Sequence, residues 1–374
     1  MSKRPQGLRA AASLKKKCTV QNAVKGNSQE EKADDETVLV YSDDDEVSQL
    51  CGLYDMSREK LESGDIEASV SLVFGTIHEA DRILRNTEKP EALPKKFHAA
   101  YSQALLAVAE LYDYAKERLK DESSEEAYID AALERAKLGE DAPGEDNVRL
   151  QLALGAGLLA KARSVLATDS SGETETASPA SATATKMVQQ AYNCFQALDK
   201  LEKLPEFITV FTLQRPVLAM STYAAREPVS EQFVLDVYAL TTSLLTKVAE
   251  AALTPAHKLD AQQALCTATT NVAEYYIDLA DTDDAESVVT SARRKAETEL
   301  SKAIDQVDAL YVLNKTTDLL FRKADLKMDL ANVLDGEDAQ DKCLQEAADC
   351  IREAHSMGAD LPEDYAEFLK AYTE

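Results

Sequence analysis

From Val47 to Tyr372, large apolar residues recur three or four positions apart, the spacing that lines side chains along one face of an α-helix. Ile66, Val70, Val73, Phe74, Ile77, Ala80 and Leu84 make one such stripe. Phe97, Tyr101, Ala104, Leu105, Val108, Leu111, Tyr112 and Ala115 make a wider one. Stripes of this kind are buried by packing helix on helix. With 12 Gly and 10 Pro in 374 residues, and few β-branched runs, the chain lacks the turns and strands of an all-β fold. The pattern predicts about a dozen helices joined by short turns, most of them antiparallel to their neighbours.

The stripes are grouped. Residues 1–46 carry few large apolar side chains and read as a disordered tail, basic first and acidic later. Helical hairpins follow over 47–167. Residues 168–185 read as a low-complexity loop rich in Ser, Thr and Ala, and a repeat-like helical region occupies 186–374. Asn86 with Pro90 should end one helix, and Gly139 with Pro143-Gly144 another. Gly155 and Gly157 suggest close helix–helix contact, and Pro216 a kink or a break. Near the end, Ala324 to Leu334 and Cys343 to Ala354 flank the turn Asp335-Gly336-Glu337. Small Ala positions at the contacts resemble stacked tetratricopeptide-type hairpins, although no strict 34-residue period fits. The expected fold is an all-α, tetratricopeptide-like, degenerate α-solenoid.

Charge narrows the function classes. The net charge is −26, yet residues 1–26 hold seven bases and no acid, leaving 34 bases against 67 acids, −33, on the remainder. So acidic a body repels phosphate backbones and anionic membranes, so no direct nucleic-acid or membrane partner is expected. The longest uncharged apolar stretch, Leu152 to Ala160, stops at Lys161, well short of the roughly 20 residues of a bilayer span. Six scattered cysteines without a Cys-x-x-Cys pair read as reduced thiols of a cytosolic or nuclear protein; Cys343 and Cys350 share a helical face.

Catalytic patterns are wanting. The stretch His78-Glu79-Ala80-Asp81-Arg82 opens like a zinc-protease helix, but Arg82 occupies the second ligand position and a cation cannot bind zinc. No phosphate loop, nucleophile elbow or dinucleotide fingerprint is found, and no metal or cofactor is expected. An enzyme assembled from distant helices around His78 and His98 stays as the contrasting class. His78, Glu79, Asp81, Arg82 and Arg85 cluster on one helix, with Asp81 three residues from His78 and four from Arg85. The cluster reads either as a structural network or as a partner-recognition patch.

In the tail, Lys3-Arg4 and Lys15-Lys16-Lys17 are two basic clusters ten residues apart, spaced as for the two pockets of importin-α. Arg9 to Leu14, free of acids, also resembles a mitochondrial presequence, and a merely solvated tail is a third reading. Ser42, followed by Asp43-Asp44-Asp45, is a candidate site for acid-directed kinases; those acids also suit a helix start.

Three stretches resemble one fungal family: Lys3-Arg4-Pro5-Gln6-Gly7-Leu8, Leu50-Cys51-Gly52-Leu53-Tyr54, and Gly75 to Arg85. It is the enhancer-of-translation-termination family, which includes a nuclear negative regulator of a prolyl-hydroxylating 2-oxoglutarate oxygenase. The resemblance implies a non-enzymatic nuclear adaptor that binds the iron-dependent prolyl hydroxylase and links hypoxic transcription to translation termination. Family members carry a less interrupted basic run after the Gly-Leu pair, where Ala10 to Leu14 intervenes here. The alternatives are an import adaptor for another cargo, or a tetratricopeptide-type co-chaperone, which needs a groove of Lys and Arg to clamp a C-terminal carboxylate.

Overall fold

A computed structural model describes residues 46–116, 123–144, 147–169, 179–196, 210–227, 229–251, 254–283 and 285–371. Among them are fourteen α-helices and no strand, in two compact units that divide at Lys161 and Ala162. The fold is all-α, as the apolar periodicity predicts. Lys3, Arg4, Lys15, Lys16, Lys17 and Ser42 lie outside the described residues.

The first unit comprises α1 (Glu46–Glu62), α2 (Ile66–Asn86), α3 (Lys95–Glu110), the single turn α4 (Tyr112–Ala115), α5 (Glu125–Glu140) and the first part of α6 (Asn147–Asp169). Local chemistry sets the ends. Gly64 takes φ +82, which a Cβ would disfavour, and Asp65 then caps α2 by accepting from the Ala68 N–H at 3.1 Å. Ser124 caps α5 in the same way from Ala127. The core gathers Leu50, Val73, Phe97, Val108, Ile129 and Leu150, with Ala100, Ala104, Ala132 and Ala136 where helices come close. α1 packs on α2 and α3, and α3 on α5. Two ion pairs brace the assembly. Arg149 makes parallel 2.9 Å bonds to both oxygens of Asp55, and Arg58 meets Glu110 at 3.0 Å.

α5 ends at Glu140, ahead of Pro143-Gly144 and one residue past Gly139, which lies in a close helix contact. A Cβ there would lie 2.8 Å from His98 Cβ and from Leu150 Cδ1, so the missing side chain serves close packing. Gly157 does what was expected of it: a Cβ would come within 2.8 Å of Leu133 Cδ2. Helix α6 corrects the reading of length. Val148–Thr168 is long and apolar enough to cross a bilayer, although its uninterrupted apolar run stops at Lys161. Half of the stretch is buried within the protein, and Lys161 is paired with Glu126 and Asp130, the marks of a core helix.

The second unit contains α7 (Pro179–Phe195), α8 (Val210–Arg226), α9 (Glu231–Ala251), α10 (Pro255–Thr282), α11 (Glu286–Leu313), α12 (Thr317–Val333), α13 (Glu337–Ser356) and α14 (Glu363–Ala371). From α8 to α13 each helix packs on the next, the arrangement of a solenoid. The contacts fall on small residues, with Ala261, Ala268, Ala296, Ala303, Ala324, Ala347 and Ala354 fully or almost fully buried. Two expectations shift. α6 continues to Asp169 and α7 begins at Pro179, so helix occupies both ends of the segment read as a loop over 168–185. Pro216 neither splits nor ends α8. It sits in the second turn, where only one backbone bond to a preceding carbonyl is given up.

Candidate functional site

The cluster singled out on α2 is divided by the helix between surface and core. Val70, Val73, Ile77, Ala80 and Ile83 face inward, and Asp81 goes with them, 2% exposed. Glu79 and Arg82 lie on the other side. Arg82 donates to both oxygens of Glu79, at 2.9 and 2.6 Å, and reaches Glu46 at 2.9 Å. The bonds from Glu79, then Glu46, raise the guanidinium pKa above its ordinary value. Arg85 is exposed, and its Nε donates to the backbone oxygen of Asp81 at 3.0 Å. His78 is half-buried beside them.

Asp81 finds its carboxylate partner across the helix contact and not along α2. The Tyr101 hydroxyl of α3 donates to Oδ1 at 2.6 Å, while Oδ2 is buried without a hydrogen-bond partner. Burial raises the Asp81 pKa; the Tyr101 bond opposes the rise, followed by Arg85, His78 and Arg135. Burial and Asp81 in turn raise the Tyr101 phenol. The guanidinium of Arg135, on α5, sits 5.0 Å over the Tyr101 ring. His98 stands edge-on to Phe97 with centroids 5.4 Å apart. Burial, then Arg135, lowers its pKa to about 4, so it is neutral at physiological pH. Sequence reasoning placed Tyr101 among the apolar residues of α3 and passed over Arg135. The signal lay in Asp81 itself, four residues beyond Ile77 on the apolar stripe: an acid there needs a buried donor.

A groove of about 910 Å³ opens in the second unit, between α9 and α11 over α10. Glu231 accepts from Lys295 Nζ at 2.6 Å and from the Tyr276 hydroxyl at 2.8 Å. The Lys295 bond chiefly, and that of Tyr276, lower its pKa, against a rise from burial. Lys295 also lies 5.1 Å over the Tyr276 ring. Glu231, Glu286 and Glu299 outnumber Arg294 and Lys295 around the groove. A carboxylate clamp of the co-chaperone type needs uncommitted cations, and Lys295 is engaged by Glu231. Among the described residues no three His, Cys, Asp or Glu side chains converge as a metal site.

Comparison with known proteins places this geometry in a family. The model described as "Nuclear pore complex subunit Nro1" matches residues 1–220, and that described as "Negative regulator of ofd1, C-terminal" matches 230–372. The negative regulator of ofd1 of Schizosaccharomyces pombe is 44% identical, covering 100% of both chains. A solved structure of the S. pombe nuclear import adaptor Nro1 has a TM-score of 0.66 at 45% identity, covering 91% of this chain and 99% of that one. Enhancer of translation termination 1 of Meyerozyma guilliermondii is 36% identical over a shorter stretch, 37% of this chain and 31% of that protein. The chain belongs to the Nro1 family.

Proposed function

We propose that this protein is a nuclear adaptor, without catalysis of its own, that binds a 2-oxoglutarate- and iron-dependent prolyl hydroxylase and is carried into the nucleus through its basic tail. The observation that carries this reading is the 44% identity with the negative regulator of ofd1 over the whole of both chains. A solved relative described as a hypoxic regulator of sterol synthesis and a nuclear import adaptor supports it. The tail adds a chemical reason: Lys3-Arg4 and Lys15-Lys16-Lys17 supply two groups of charge-assisted donors at the spacing importin-α accepts. Control of hypoxic transcription and of translation termination would follow from holding the hydroxylase or releasing it.

Affinity purification with mass spectrometry, on the full chain and on a chain lacking residues 1–46, tests both halves. The hydroxylase should be recovered with either, and importin-α only with the full chain. Changing Lys3, Arg4, Lys15, Lys16 and Lys17 to Ala should abolish nuclear accumulation and leave hydroxylase binding intact. Failure to recover a hydroxylase at low salt refutes the partner; nuclear accumulation that survives the five changes refutes the address.

A further inference from the structure

One corner of the second unit exposes apolar surface that its own packing leaves uncovered. Val312 is 78% exposed and Leu313 67%, at the end of α11; Met357, just past α13, is 44% exposed. Single exposed apolar residues are ordinary, whereas a contiguous group marks contact with another molecule. Tyr311, next to Val312 in the chain, links this end of α11 to Met357. Its hydroxyl donates to Glu353 Oε1 at 2.8 Å and lies 3.5 Å from Met357 Sδ, tying the two helix ends together.

The corner is held in shape. The Asn314 N–H closes α11 on the Leu310 carbonyl at 2.8 Å, and the Met357 N–H closes α13 on Glu353 at 3.0 Å. Beyond it, Gly358 turns the chain at φ +94, and His355 Nδ1 lies 3.2 Å from the Ala359 carbonyl oxygen. A platform ordered beforehand loses little entropy when a partner lands on it.

The electrostatics select the partner. The C-termini of α11 and α13 meet at this corner and bring the negative ends of two helix dipoles together; α11 has no basic residue in its last turn, and α13 has His355. Asp305, Glu353 and Asp360 are exposed on the flanking segments and outnumber the exposed Lys315 beside Leu313. Over residues 335–371 eleven carboxylates face three bases.

We propose that Tyr311, Val312, Leu313 and Met357 form the docking surface for the hydroxylase, and that they receive an amphipathic segment whose apolar side chains are flanked by Lys or Arg. The assignment rests on the adaptor reading above. The apolar anchors supply affinity, and the carboxylates and helix ends supply orientation and a faster encounter.

The test is calorimetric titration of the hydroxylase into the full chain, into a variant with Val312→Asp and Leu313→Asp, and into a control with Leu138→Asp in α5. The double variant should bind at least about tenfold more weakly, and the control as the wild type does. Met357→Gln, a milder change, should weaken binding in the same direction. Helical circular dichroism and melting should stay unaltered, because the changed side chains face solvent. Wild-type affinity should fall as salt is raised. If the double variant binds within twofold of a wild type that does bind, the docking surface is refuted and the adaptor reading stands. A wild type that binds no hydroxylase refutes both. A chain whose own dimer is dissolved by the double change refutes the proposal in favour of a self-interface.

Discussion

Replacing Tyr101 by Phe removes one oxygen from the first unit and leaves the ring in place, still under Arg135 and beside Phe97. That oxygen donates the 2.6 Å bond to Asp81, whose other carboxylate oxygen has no hydrogen-bond partner. Without it, a side chain only 2% exposed carries its charge with no hydroxyl donor. Losing a buried hydrogen bond to a charged group costs about 2–3 kcal/mol. For a unit of this size that lowers the melting temperature by about 5–10 °C.

The cost must depend on pH. Burial already sets the Asp81 pKa above its unfolded value, and the tyrosine bond pulls it down, so the Phe variant raises it further. A carboxyl whose folded pKa lies above its unfolded one gains stability as pH falls through the folded value. The deficit of Tyr101→Phe should therefore be larger at pH 8 than at pH 5, shrinking in the direction in which Asp81 protonates. Urea unfolding at the two pH values measures it, and Asp81→Asn with the double variant completes the cycle. A deficit below 0.5 kcal/mol at both pH values, or one that does not change with pH, would show that the hydroxyl does not carry the buried charge.

Gly139→Ala should destabilise by about 1–3 kcal/mol, since the new methyl would meet the His98 Cβ at 2.8 Å and neither helix can yield freely; thermal melting reads the loss. Asp329 should report pH in the second unit. Burial first, then Asp325 and Glu274, raises its pKa to about 6, so folding is opposed by its charge above that pH and favoured as pH falls toward 4. Asp329→Asn should therefore stabilise by about 1 kcal/mol at pH 7.5, a value discounted because the group is only half-buried. The gain should narrow through pH 6 and disappear near pH 4. A gain that persists at pH 4 would exclude titration of Asp329 as its source.

The helices were legible because their signal is local. Val70, Val73, Ile77 and Ala80 declare a helix by their spacing alone, and Asp65 and Ser124 cap within three residues of themselves. The ends were less legible where one residue type has two uses. Gly139 reads as a stop, and it is a close contact as well; Pro216 reads as a kink or a break, and the helix runs through it. Segment 168–185 is poor in large apolar residues, yet its Ala- and Thr-rich part from Pro179 is helical.

The α2 cluster shows where sequence reading stops. Spacing placed Asp81 within reach of His78 and Arg85, because residues three and four apart share a helix face. It could not say that Asp81 turns inward while Arg85 stays exposed, or that Tyr101 would answer the buried charge from twenty residues away. The Tyr311–Met357 corner has the same character, joining positions 46 residues apart. The sequence alone determined an all-α chain with an acidic body and a basic tail, since periodicity and charge are properties of neighbours along the chain. Only the tertiary structure decided which acids are buried and which apolar residues stay in water, because those follow from which helices pack and at what register.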